Sequence, residues 1–282
     1  MYTFAFFGSD EFSIIVLQEL LKNNFIPTFC ITQPDRPQGR KLVLTPTPLK
    51  KFCFENNIDV HTPENLELFF KDIKQDFDFF AVASYGKIIS QAIIDIPKKG
   101  FLNVHPSLLP LYRGASPIET VILNNELETG VTIMLMDAKM DHGPILLQQK
   151  QVFSSWTESK KITHDMLAQL GGTLLTQTIK GYLTGQILPQ EQNHSMATYT
   201  KIIKKSDGLI KLSDIDHKTY LKYLAFTPWP GLYFFVEKQN KQIRIKIESA
   251  HFNTQKGFVI DTVIPEGKKS MTFDSFKNGY LS

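Results

Sequence analysis

Cysteine is almost absent from this chain. Cys30 and Cys53 are the two in 282 residues, both in apolar surroundings and at no spacing that suits a metal-ligand pair. That excludes a disulfide-stapled scaffold and favours buried, reduced thiols in a cytoplasmic compartment. No other His/Cys/Asp cluster has ligand spacing, so no metal is expected. A G-x-G-x-x-G run is missing too: Gly8 closes the first apolar run and is followed by Ser9-Asp10-Glu11, which argues against a dinucleotide site. The opening Tyr2-Thr3-Phe4-Ala5-Phe6-Phe7 has no basic leader and is too short for a membrane span or signal peptide, so no membrane partner is expected. Internal repeats and low-complexity segments are lacking.

What is present fits one large or two modest globular domains, with 21% charged and 42% hydrophobic residues. In the first half, strand-like runs at 3–7, 28–32, 79–83 and 101–104 alternate with helical patterns at 11–23 and 49–56. Further strands are expected at 131–136 and 145–152 and a long helix at 162–183. This βαβ pattern predicts an α/β fold with a Rossmann-like, mostly parallel sheet over residues 1–190, binding ligands at the carboxyl edge. Residues 191–207 read as a polar linker. Residues 208–282, with short alternating strands and Gly-bearing turns, read as a small β-barrel or open sheet. Charge is uneven: the formal net charge is +3, but residues 201–282 hold 14 Lys and Arg against 8 Asp and Glu. The imbalance favours an anionic partner for the C-terminal part, a solvated basic surface being the ordinary alternative. Trp229, in Thr227-Pro228-Trp229-Pro230-Gly231, reads as a core aromatic rather than a base-stacking platform.

The most informative run is Asn103-Val104-His105-Pro106-Ser107-Leu108-Leu109-Pro110, with Asp141 downstream. Apolar and polar residues alternate from Phe101 to His105 until Pro106 removes a backbone donor, so Asn103 and His105 project from the same face of a strand end. An amide donor and an imidazole placed together can address one carbonyl oxygen, and a carboxylate across the cleft can orient or deprotonate. Together these residues are a set for acyl transfer. The run resembles the catalytic centre of the folate-dependent formyltransferases, and the resemblance continues through Leu111 to Pro117, Thr129 to Met134 and Met140 to Leu146.

Three features narrow the resemblance to the methionyl-tRNA formyltransferase family. The loop from Thr32 to Lys41, followed by Thr45 to Lys50, is similar to the one with which that family holds the acceptor end of tRNA. Here Arg36, Arg40 and Lys41 are the expected tRNA contacts, with Pro37, Pro46 and Pro48 stiffening the segment. The loop departs from the family in Lys41-Leu42-Val43, where Gly-Lys-Lys is usual. Ala197 to Ile202 and Ala225 to Gly231 resemble the start of the family's OB-like, tRNA-binding C-terminal domain, and Pro265 to Met271 its closing segment.

The resemblance implies 10-formyltetrahydrofolate as formyl donor and initiator methionyl-tRNA as acceptor, in a monomeric enzyme of translation initiation. The amine attacks the formyl carbon directly, Asn103 and His105 donate to the oxyanion, and Asp141 either accepts the proton or orients His105. Ser107, Leu108, Leu109 and Pro110 are implied as a folate wall, with Tyr85 and Gly86 closing the other side of the pocket. Two alternatives share these residues: a formyltransferase acting on a small amine, such as glycinamide ribonucleotide or an amino sugar nucleotide, and a catalytically inactive RNA-binding module.

Overall fold

The computed structural model describes residues 2–38, 42–156 and 160–281. It divides into two compact units: Met1–Pro117, Glu128–Val152 and His164–Thr200 form the first, and Ile118–Leu127, Phe153–Thr163 and Lys201–Ser282 the second. Residues 191–200 therefore go with the first unit.

The first unit is built on a seven-stranded sheet. Five strands run parallel: β1 (Phe4–Gly8), β2 (Phe29–Ile31), β5 (Val60–His61), β6 (Phe79–Ala83) and β7 (Phe101–His105). β8 (Glu128–Leu135) returns antiparallel to β7, and β9 (Ile145–Val152) antiparallel to β8, giving the order β5-β2-β1-β6-β7-β8-β9. β1 and β6 are buried along their whole length, as strands covered on both faces must be. Beside them an aromatic cluster forms, in which Phe7 meets Phe101 at 4.8 Å between ring centroids and Phe80 lies 5.1 Å from Phe101. That packing fixes the strand bearing Asn103 and His105.

The helices are α1 (Glu11–Lys22), α2 (Pro48–Glu55), α3 (Leu66–Lys71), α4 (Gln91–Ile94), α5 (Pro117–Leu123), α6 (Lys160–Leu183), α7 (His217–Phe226) and α8 (Phe273–Tyr280). Their starts are legible in side-chain chemistry: Asp10 accepts from the Ser13 N–H at the head of α1, and Thr47 from that of Lys50 ahead of Pro48 in α2. The breaker-rich loop after β2 folds as a short antiparallel hairpin, β3 (Arg36–Gln38) against β4 (Val43–Thr45).

The second unit carries the small antiparallel β-structure expected there: β10 (Tyr233–Lys238), β11 (Lys241–Asn253), β12 (Gly257–Pro265) and β13 (Met271–Thr272), paired in that order. Gln239 and Asn240, both at positive φ, make the two-residue turn between β10 and β11. Irregular register between Ile247 and Ala250 bends β11. Phe234, Ile245, Ile247, Val263 and Phe276 fill its core. Trp229 corrects the expectation of a core aromatic: it is 55% exposed, because the Pro228 to Gly231 turn carries it out of the packed region.

Candidate active site

β7 ends where the parallel part of the sheet stops, and Asn103 and His105 leave it on one side while Leu102 and Val104 pack into the protein. Asp141, from the loop between β8 and β9, meets both. Its Oδ1 lies 3.4 Å from Asn103 Nδ2, and its Oδ2 lies 3.6 Å from His105 Nδ1. Among the described residues, that long contact is the one hydrogen bond the Asn103 amide makes. His105 is nearly buried, and its Nε2 lies 3.0 Å from the Tyr112 carbonyl oxygen. A carbonyl can only accept, so Nε2 carries the proton there and Nδ1 is the nitrogen that faces Asp141.

Asp141 is held firmly. The Gly114 N–H donates to its Oδ2 at 2.7 Å, and its backbone sits at φ 48, the left-handed region that few side chains adopt. Gly114 itself has φ +110, and a Cβ there would lie 2.9 Å from Thr200 Oγ1, so glycine is required for this approach.

The residues expected to bind folate divide by how much they can present. Ser107 and Leu109 are buried, with Ser107 Oγ donating to the Leu111 carbonyl at 2.7 Å. Leu108 and Pro110 are half-buried. Two residues not anticipated from sequence clamp this loop: Thr132 Oγ1 donates to the Ser107 carbonyl and accepts from the Leu109 N–H, and Gln148 Nε2 donates to the Leu109 carbonyl. The signal available was a polar Thr132 within the otherwise apolar Val131 to Met134.

On the opposite loop, the Tyr85 ring lies in the aromatic core, 5.6 Å from Phe7, where burial pushes its hydroxyl pKa up to about 12. What Tyr85 turns outward is its carbonyl, already accepting from Ser9 Oγ and Gln33 Nε2. Gly86 is exposed at φ 73. Asp10, whose carboxyl pKa burial raises, accepts from the Ser84 hydroxyl at 2.5 Å and ties this loop to the head of α1.

Arg36 is exposed on the hairpin; Arg40 and Lys41 lie outside the described residues. The hairpin base is tied by the Thr32 and Thr47 hydroxyls, 2.7 Å apart, and by a Lys50 to Asp35 ion pair at 2.7 Å. Leu42, Val43 and Leu44, each more than half exposed, make its outgoing side apolar. Among the described residues no group of His, Cys, Asp and Glu could hold a metal ion, and no helix is long and apolar enough to cross a membrane.

Residues 3–179 match the family described as formyl transferase. Two relatives carry the likeness across the chain. The methionyl-tRNA formyltransferase of Chloroflexus aurantiacus is 39% identical over 90% of this chain and 83% of its own length. That of Nitratidesulfovibrio vulgaris is 33% identical over 99% and 93%. The chain belongs to the methionyl-tRNA formyltransferase family. It is accordingly an enzyme of formyl-group transfer. Among solved structures, the methionyl-tRNA formyltransferase from Clostridium thermocellum aligns with a TM-score of 0.62 at 16% identity, covering 94% of this chain and 99% of that one. An N-formyltransferase from Helicobacter canadensis, solved with folinic acid and dTDP-3-aminofucose, aligns at 0.63 and 20% identity over 90% and 89%. At such identities these two likenesses concern the fold.

Proposed function

We propose that this chain transfers the formyl group of 10-formyltetrahydrofolate to the α-amino group of initiator methionyl-tRNA, with Asn103, His105 and Asp141 as its catalytic residues. The observation carrying this reading is that one carboxylate, Asp141, stands beside both the Asn103 amide and the His105 ring at the open end of β7. The relatives' names supply the acceptor, and the family and its folate-complexed fold neighbours supply the donor class.

The chemistry follows from which atoms remain available. The α-amine of an aminoacyl ester is largely neutral at cellular pH, since a free α-amino group titrates near ~7.7–8 and the ester lowers it. Attack on the formyl carbon places negative charge on the carbonyl oxygen. Asn103 Nδ2, held only by a long contact, is free to donate to that oxygen. With Nε2 engaged by Tyr112, Nδ1 is the nitrogen His105 turns toward the reacting groups, and it donates to the same oxygen only when it too carries a proton, beside the Asp141 carboxylate. Asp141 Oδ2 is taken by the Gly114 N–H, which leaves Oδ1 to accept the proton shed by the amine, directly or through a water; collapse of the oxyanion then breaks the bond between the formyl carbon and N10, and tetrahydrofolate leaves with that proton returned to N10. The 107–110 loop, immobilised by Thr132 and Gln148, serves as the folate wall, and Gly86 offers backbone on the far side. Arg36, Arg40 and Lys41 are assigned to the acceptor end of the tRNA, where cationic side chains meet phosphate.

The test is direct. Purified protein with 10-formyltetrahydrofolate should formylate methionyl-tRNA with a kcat/KM orders of magnitude above that for a dTDP-amino sugar or glycinamide ribonucleotide. A small amine preferred over methionyl-tRNA would overturn the assignment, and RNA binding with no turnover of any acceptor would leave only the inactive-module reading.

A further inference from the structure

Arg113 is 1% exposed, yet among the described residues no carboxylate pairs with it. Its Nη2 donates to Gln192 Oε1 at 2.6 Å and to His194 Nδ1 at 2.9 Å, its Nη1 donates to the Tyr199 hydroxyl at 3.3 Å, and its Nε has no partner. A buried guanidinium without a counter-charge is expensive, and plain packing would be served better by an apolar side chain. Its value has to lie in what it holds.

What it holds is Gln192, itself 5% exposed. A guanidinium only donates, so it draws the amide oxygen of Gln192 toward itself and thereby points Nε2 the other way. Nε2 then donates to two carbonyls at once, Asp141 O at 2.9 Å and Gly143 O at 2.7 Å. Those carbonyls flank the turn in which Asp141 stands at positive φ. The main chain of Arg113 completes the grip. Its N–H donates to the Thr198 carbonyl and its carbonyl accepts from the Thr200 N–H, which sets the next residue, Gly114, against Asp141 Oδ2.

We infer that Arg113 and Gln192 are positioning residues for Asp141, the guanidinium locking the glutamine amide in the one orientation that fixes the backbone beneath the reacting carboxylate. This rests on the reading of Asp141 as catalytic, so the experiment carries a control for that reading. Gln192→Glu is the informative variant: it keeps volume and gives Arg113 a better acceptor, but has nothing to donate to the Asp141 and Gly143 carbonyls. The expected result is unfolding that stays cooperative, at a lower temperature because the two carbonyls lose their donor, with an affinity for 5-formyltetrahydrofolate close to that of the wild type. KM for methionyl-tRNA should stay within about twofold, kcat should fall about tenfold or more, and the acid limb of the kcat–pH profile should move. Should Gln192→Glu fail to melt cooperatively, Gln192→Met, which keeps the shape and loses every hydrogen bond, decides with the same readouts. Wild-type kcat in the folded Gln192 variant, alongside a large loss in Asp141→Asn, overturns the positioning role. Wild-type kcat in Asp141→Asn overturns the catalytic assignment itself.

Discussion

The end of β7 and the β3–β4 hairpin belong to one compact unit and are built on opposite terms. Around Asp141 the polar groups converge: Gly114, Asn103, His105 and Gln192 all meet a single residue with a strained backbone. Among the described residues the hairpin is tied at its base, through Thr32, Thr47, Asp35 and Lys50, while Arg36, Pro37 and Leu42 to Leu44 face outward. Bond-making needs donors already aimed at a charge that exists only briefly. Holding a large nucleic acid needs reach, positive charge and apolar surface more than a fixed geometry.

Substitutions at the two places should therefore differ in kind, the first acting on kcat and the second on KM. The largest effect is expected from Asp141→Asn, which keeps the shape and removes the proposed base: single-turnover formylation should fall roughly 10²–10⁴-fold with the fold intact. A loss seen only in KM would erase the contrast. Asn103→Ala should follow at roughly 10²–10³-fold in kcat, about 2.7–4 kcal/mol, the size of one oxyanion donor. Third comes Gly130→Ala, which probes the clamp beneath the 107–110 loop, the proposed folate wall: a Cβ there would lie 2.2 Å from the Gln149 carbonyl and 2.6 Å from Leu108 Cδ2. Thermal unfolding should show a loss of roughly 1–3 kcal/mol, accompanied by a higher KM for the folate donor.

At the hairpin, Arg36→Ala should raise KM for methionyl-tRNA severalfold, flatten its salt dependence by about one unit of slope, and leave kcat at saturation unchanged. A kcat defect there would show that hairpin and chemistry are coupled after all. The smallest effect concerns pH. Desolvation in the His142 stack, with repulsion from His142 and Arg113, lowers the His194 pKa below its usual 6.5. Below that pH the unfolded chain takes up the proton more readily than the folded one, so stability should decline on acidification and show no further gain above it. Melting temperatures of wild type and His194→Gln across this range should differ in slope, the variant being flatter.

The two regions were also unequally legible in the sequence. Phe101 to His105 alternates cleanly and stops at a proline, so the strand, its polar face and its end could all be read from local chemistry. Asp141 follows a turn with no periodicity, and only its likeness to a family singled it out. Arg113 and Gln192 could not be found, because a contact between residues 79 positions apart leaves no mark on either neighbourhood. Tyr85 shows a subtler limit. Its place in the loop after β6 was legible, but with Ser84 at positive φ the chain turns and the ring is buried. The hairpin read as a breaker-rich loop, since three-residue strands, one containing a proline, fall below what a pattern of alternation can register.

Gln192, Thr198 and Thr200 all lie beyond the end of α6, and each of them braces Arg113 or Asp141. A ribosome that has delivered everything through Leu183 has thus released Asn103, His105 and Asp141 without the struts that hold them in place. On the proposed assignment, the nascent chain has these side chains before it has their geometry, which waits for the stretch that looks, letter by letter, like a mere tether.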